Sequence, residues 1–168
     1  MRTQVLMYRQ DDPAKCTAAK LVRFGLAESI RFIRPYTLVL DPFCKIVLSK
    51  DDRSLFRSVC AIDCSWEKAI DTLLKRKEIK NDVCRRLPAL LAGNPVNYTK
   101  VSKLTSAEAL AASLYILGWR QMSENILNKF KWGHTFFELN SEILSDYSDA
   151  LSTTEILELE KGYFPQLS

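Results

Sequence analysis

The run Ala61-Ile62-Asp63-Cys64-Ser65-Trp66 leaves a short apolar stretch on an acid, and a large indole follows three positions later. Such an ending can tie off a strand and plug the core beneath it, or it can form the floor of a site. The residue types alone leave both readings open for Asp63 and Trp66. Two other stretches carry groups of similar promise. "DDPAKCT" (11–17) places Lys15 and Thr17 ahead of an apolar pattern, and "LAGNPVNYTK" (91–100) is a polar loop shortly before Thr105-Ser106. Thr17 and Thr105 both read as helix starts. The first N–H groups of a helix have no intrahelical partner, and the dipole favours negative charge there, so each end can hold an anion such as a carboxylate. Plain capping is the structural alternative at both.

Several chemistries are excluded. There is no G-x-G-x-x-G or Walker pattern, which argues against common dinucleotide and nucleoside triphosphate sites. The five cysteines (Cys16, Cys44, Cys60, Cys64, Cys84) form no C-x-x-C pair, and His134 is the only histidine. Structural zinc and the usual hydrolytic triads therefore lack ligands and bases, and we expect no metal. An odd number of thiols without a secretory signal suits reduced, buried cysteines in a cytoplasmic protein.

These groups need a scaffold to position them. "TQVLMY" (3–8) predicts a first strand, and Thr17 predicts the N-cap of a helix that stops at Gly25. "IRFIR" (30–34) and "TLVLDP" (37–42) read as two further strands. "SKDDRSLFRSV" (49–59) reads as a charged helix with Ser49 as cap. "CAIDC" (60–64) is short and continuously apolar, as suits a strand buried on both faces of a parallel sheet. "WEKAIDTLLKRKEIKN" (66–81) is amphipathic at helical spacing, and "RRLPALLAG" (85–93) reads as a last strand. Beyond about residue 100 the pattern turns helical: "LTSAEALAASLYILG" carries a capping box, Thr105-x-x-Glu108, and ends on Gly118. Shorter helices follow over 120–131, 137–147 and 153–161, the last opened by Ser152-x-x-Glu155. The expectation is an α/β fold: a mostly parallel sheet in the N-terminal half and an all-helical C-terminal half.

The formal charge of +4 is unevenly spread. The stretch from Glu138 onward holds seven acids and one lysine, Lys161, so the first 137 residues carry a net +10. That asymmetry favours a polyanionic partner for the N-terminal part. Its basic clusters include Lys15, Lys20, Arg23, Arg31 and Arg34. The tract "KFKWGHTFFELN" (129–140) mixes Lys129 and Lys131 with aromatics in a way that suits stacked RNA bases, or a helix start packed on its own core.

At these loops the sequence resembles a known family. "DPAKCTAAKLVRFGL", "AIDCSWEKA", "RRLPALLAGNPVNYTKVSKLTSAEALAA" and "ILNKFKWGHTFFELN" stand in the order and register of the aminocarboxypropyltransferases that modify small-subunit ribosomal RNA, and the likeness runs from about residue 8 to 147. It implies a SPOUT-like fold with a deep trefoil knot, an α/β domain over 1–86, and a knot-forming loop with a helical domain over 87–168. The implied reaction moves the 3-amino-3-carboxypropyl group of S-adenosylmethionine to N3 of N1-methylpseudouridine and releases 5′-methylthioadenosine. The same likeness implies that Thr17, Thr105 and Ser106 hold the amino-acid carboxylate and that the Ile62 backbone meets the ribose. Leu40, Pro42, Leu87 and Leu104 would line the adenine pocket. Trp66 and Ala69 would bury the methyl so that another carbon reacts, and Asp63 would orient the substrate or act as general base. RNA would lie along Lys15, Lys20, Arg23, Lys129 and Lys131. The partner would be small-subunit ribosomal RNA or a pre-ribosomal particle, with no membrane, and the protein a cytoplasmic monomer. A SPOUT methyltransferase and a non-enzymatic RNA-binding assembly factor are the rival readings.

Overall fold

The computed structural model describes residues 1–8, 12, 14–64 and 82–167. The predicted helix over 66–81, with Trp66 and Ala69, lies outside the described residues.

Five parallel strands form one sheet in the order β2-β1-β4-β3-β5. They are β1 (Arg2–Met7), β2 (Glu28–Ser29), β3 (Thr37–Leu40), β4 (Ser58–Asp63) and β5 (Cys84–Arg85). The continuous apolar run expected to be a buried parallel strand is β4, which lies between β1 and β3 and pairs with both in parallel. Its register sets Met7 opposite Asp63 and Leu40 opposite Ala61, so these three strands end at the same edge. Ligands in open α/β sheets bind outside such carboxyl ends.

One face of the sheet (Val5, Leu38, Val59, Ala61) joins the main core with α1 (Thr17–Arg23) and α3 (Ser106–Ile116). Between β3 and β4 lies the short α2 (Asp52–Leu55). Helix α3 buries Ala107, Leu110, Ala111, Ala112, Leu114 and Ile116. A helix apolar on nearly every side belongs at the centre of a fold, and α4 (Arg120–Leu127), α5 (Gly133–Asp149), β4 and α1 all pack around it. Each fully buried leucine here stabilises the fold by about 1.5–3 kcal/mol. A last helix, α6 (Thr153–Tyr163), leads into a 3₁₀ turn.

Several sequence expectations are corrected. Cys16, not Thr17, is the N-cap of α1: its sulfur accepts from the Ala19 N–H at 3.3 Å, and Thr17 is the first helical residue. Gly25 does close the turn after that helix, at φ 69°. "IRFIR" is not a strand. Pairing covers Glu28–Ser29, Ile30 adds one bond to the Val5 carbonyl, and Phe32 then stands 66% exposed. Its alternation of apolar and basic residues imitates a half-buried strand without one. The charged helix shrinks to α2 because buried Asp52 is drawn inward, accepting from the Ser49 N–H and pairing with Arg85 at 2.9 Å. The N-cap of α2 is Asp51 rather than Ser49. "RRLPALLAG" joins the sheet only at its start, and its far end pairs locally, through an antiparallel bridge between Leu91 and Val101 and a Ser102 N–H bond to the Leu90 carbonyl. Around Pro88, which offers no N–H, side chains supplement the backbone: Glu160 accepts from the Ala89 N–H, while Asn140 both accepts from and donates to Leu91.

Candidate functional site

A cavity of about 890 Å³ opens where β1, β3 and β4 end, a size usual for small-molecule sites. Its walls come from several places. The turn into α1 supplies Lys15, Cys16 and Thr17; the end of β3 supplies Leu40 and Pro42; β4 supplies Ile62 and Asp63. The stretch from Arg86 to the first turn of α3 supplies most of the rest, and Glu160 and Leu167 close it from the C-terminal end.

Local chemistry shapes each wall. Asp12 forms the turn into α1 by accepting from the Lys15 and Cys16 N–H groups through its carbonyl and from the Ala14 N–H through Oδ1. Thr105 caps α3 in a full capping box with Glu108, as its spacing predicted. Glu108 does more than the box requires. Fully buried, it accepts from the N–H groups of Gly93, Asn94 and Thr105, from Asn94 Nδ2 and from the Thr105 hydroxyl. One carboxylate thus fixes the loop before α3 onto the start of that helix. Gly93 has no room for a side chain, because a Cβ there would stand 2.5 Å from the Phe136 backbone nitrogen.

Asp63 sits where the starts of the two helices meet. Its Oδ1 accepts from the Ser106 hydroxyl at 2.9 Å and its Oδ2 from the Cys16 thiol at 3.1 Å. Burial pushes the Cys16 thiol up to about 11, with Asp63 adding to the rise. The thiol is therefore protonated at neutral pH and able to donate. The Thr17 hydroxyl oxygen accepts from the Ala107 N–H at 3.3 Å, which leaves its proton free to be donated into the cavity. On the opposite wall Arg86 and Glu160 form a two-pronged ion pair, both contacts 2.8 Å.

Of the sequence-derived site residues, Lys15, Thr17, Leu40, Pro42, Ile62, Asp63, Leu87, Leu104, Thr105 and Ser106 share this cavity. Lys20 and Arg23 lie on α1, and exposed Lys129 and Lys131 lie between α4 and α5; none of these four lines it. The aromatic half of the 129–140 tract is core rather than a stacking platform: Phe130 and Phe136 are buried, with Trp132 and Phe137 packed against the same cluster. The sequence reading missed Cys16, Asn94, Arg86 and Glu160, as well as Lys100 and Lys103 on the cavity wall. Only the capping-box spacing of Glu108 hinted at the anchored loop.

The chain as a whole is similar to known proteins. A protein of Thermoplasma volcanium named 16S rRNA aminocarboxypropyltransferase is 46% identical over 162 residues, 95% of this chain and 96% of its own length. One of the same name from Methanosarcina mazei is 43% identical over 157 residues, covering 92% and 90%. The chain belongs to the 16S rRNA aminocarboxypropyltransferase family. A solved aminocarboxypropyltransferase structure, the SAM-dependent rRNA:acp-transferase Tsr3 from Vulcanisaeta distributa, superposes with a TM-score of 0.80 at 34% identity, covering 96% of both chains. Residues 38–164 match the family described as ribosome biogenesis protein, C-terminal. Residues 1–32 also match one described as a possible Fer4-like domain in RNase L inhibitor. In this aminocarboxypropyltransferase that stretch holds one cysteine, Cys16, whereas a ferredoxin-type cluster takes four thiolates. Among the described residues no group of three or more acids, cysteines or histidines is placed to hold a metal, and no helix is long and apolar enough to cross a membrane.

Proposed function

We propose that this protein transfers the 3-amino-3-carboxypropyl group of S-adenosylmethionine to N3 of N1-methylpseudouridine in small-subunit ribosomal RNA, with 5′-methylthioadenosine as the second product. One observation carries the reading: hydrogen-bond donors at two helix starts and an apolar wall share a single cavity beneath the Asp63 edge of the sheet. The residues fit such a cofactor. Thr17 retains a hydroxyl proton for the carboxylate, and the start of α3 at Ser106 adds a favourable dipole. Leu40, Pro42, Leu87 and Leu104 supply apolar surface for an adenine ring, and the Ile62 backbone lies beside them for the ribose.

S-adenosylmethionine supplies a sulfonium whose three carbons are all open to attack. The protein's task is to expose one and hide the others. We assign the hiding of the methyl to Trp66 together with Ala69; an indole face also favours a cation. Asp63, with one donor already on each oxygen, acts as a positioning residue that locks the starts of α1 and α3 into one donor array. Alignment of this kind can itself supply much of a rate. Lys15 on the cavity wall, with Lys20, Arg23, Lys129 and Lys131, would meet RNA phosphates, and the target base must leave its stack to enter.

The finer architecture belongs to the same proposal. We read residues 1–86 as the α/β domain and 87–168 as the knot-forming loop and helical domain of a SPOUT-like trefoil knot, an exception to the unknotted rule. The anchoring of the 91–101 loop by Glu108, Asn140 and Gly93 supports this reading, since a threaded loop must be held on several sides. The protein would act as a cytoplasmic monomer on RNA or a pre-ribosomal particle.

The deciding experiment supplies small-subunit RNA with S-adenosylmethionine labelled in the carboxyl or in the methyl carbon. Carboxyl label in the RNA is expected. Methyl label would establish a methyltransferase instead, and failure to bind the cofactor at about 1 mM in calorimetry would leave only an assembly factor.

A further inference from the structure

Two exposed aromatic side chains, Phe32 and Tyr36, take no part in lining the cavity. Phe32 is 66% and Tyr36 60% exposed, in the segment that leads into β3. Each carries a guanidinium over its ring: Arg34 over Phe32 at 5.8 Å and Arg57 over Tyr36 at 5.3 Å. The two pairs are continuous. Phe32, Arg34 and Tyr36 fall within five residues, and the Arg57 N–H joins them by donating to the Tyr36 carbonyl at 2.9 Å. Exposed Arg2 is tied to the same corner, its N–H donating to the Arg57 carbonyl at 3.1 Å, and exposed Arg31 precedes Phe32. Among the described residues none of these four arginines is joined to a carboxylate in an ion pair.

Tyr36 holds its outward place at φ 60°, a left-handed conformation uncommon for so bulky a side chain. Backbone strain of this kind persists where surroundings enforce it, often at functional positions. Here it turns an aromatic ring to solvent beside an unpaired guanidinium.

We propose that this arginine–aromatic strip is a second RNA-docking surface, which grips a part of the ribosomal RNA distant from the modified base. Planar guanidinium groups suit phosphate oxygens, and exposed rings suit unstacked bases, so the two together fit a nucleic acid better than an apolar or acidic protein face. Tyr36, Arg57 and Arg2 adjoin the starts of β3, β4 and β1, whereas the cavity lies at the strand ends. Phe32 and Arg34 stand on the segment that returns from Ile30 to that corner. Six residues of strand separate Arg57 from Asp63, a span of about 20 Å. A minimal target loop seated in the cavity would not reach the Tyr36–Arg57 end; a larger folded fragment would. This inference rests on the reading of the substrate as small-subunit RNA.

The test compares two RNAs, a minimal hairpin bearing the target loop and a long fragment with its flanking helices, by fluorescence anisotropy without S-adenosylmethionine. The variants are Arg34→Ala/Arg57→Ala and Phe32→Ala/Tyr36→Asn, the asparagine chosen because it tolerates positive φ. Unchanged thermal unfolding checks that both stay folded, and Arg34→Ala alone serves if Tyr36→Asn does not. Affinity for the long fragment should fall about tenfold, while hairpin affinity holds. The arginine variant should also flatten the salt dependence by about 0.7–0.9 for each phosphate it no longer neutralises. Equal losses on both RNAs, or unchanged binding of the long fragment (the result expected if a protein docks here), would overturn the strip and leave the proposed reaction intact. Failure of the unaltered protein to bind or modify either RNA would instead strike at the proposed function itself.

Discussion

The Ser106 hydroxyl reaches Asp63 Oδ1 at 2.9 Å across 43 residues of chain. With the Cys16 thiol on Oδ2, this contact makes Asp63 the joint between the starts of α1 and α3. Substituting Asp63→Asn should lower kcat by about 100-fold through misplacement of the bound chain. If positioning is the role, the pH–rate profile keeps its shape and Ser106→Ala reproduces part of the loss. Disappearance of the basic limb in Asp63→Asn alone would identify Asp63 as the general base.

Cys16 offers a pH signature. Its folded-state pKa, raised to about 11 from an ordinary value near 9.0, means that the native protein holds this proton more tightly than the unfolded chain. The associated stability is complete below pH about 9 and is lost as pH rises toward about 11. Urea midpoints measured across that window should fall more steeply for the wild type than for Cys16→Ala. Parallel slopes would show that the thiol is not the source.

Glu108 is the costliest single change in the site that we foresee. Glu108→Gln turns an amide N–H₂ toward N–H donors that now share a buried carboxylate, and each charged hydrogen bond removed leaves a donor unsatisfied. Denaturant unfolding should show a loss of about 3 kcal/mol, and calorimetry should show weaker S-adenosylmethionine binding as the 92–97 loop relaxes. A stable variant with intact binding would mean that the loop is held by other means.

Trp66 lies outside the described residues, so its test rests on the proposed reaction. Trp66→Ala should stay folded yet lose cofactor affinity and transfer. An unfolded variant whose remaining folded fraction is fully active would make the indole a core plug.

How far the chain can be read from its sequence depends on where each residue's partners lie. The β4 run, the Thr105–Glu108 box and the Gly25 stop are decided within a few residues of themselves, and each is legible. The segment "IRFIR" misleads because period-2 alternation says nothing about whether a neighbouring strand is present; only Val5 offers one more bond. In "RRLPALLAG" the apolar run is real, but beyond its local pairing with residues 99–102 its backbone relies on side chains at Asn140 and Glu160, 49 and 71 residues away. Cys16 takes the cap position, and the Thr17 oxygen finds its partner instead at the Ala107 N–H, 90 residues on. Most of the candidate site residues are named through likeness to a family. Their convergence at one sheet edge follows from a parallel register that no local pattern displays.

The ion pair of Arg86 with Glu160 also sets an order of events during synthesis. Glu160 is translated 74 residues after Arg86, and it is the group that orients both Arg86 and the Ala89 N–H on one wall of the cavity. A nascent chain can pair its sheet and start α3 well before that wall is set. Cofactor binding should therefore arise late and abruptly, when the last helix leaves the ribosome, so that a partly made enzyme has no finished pocket with which to hold the cofactor.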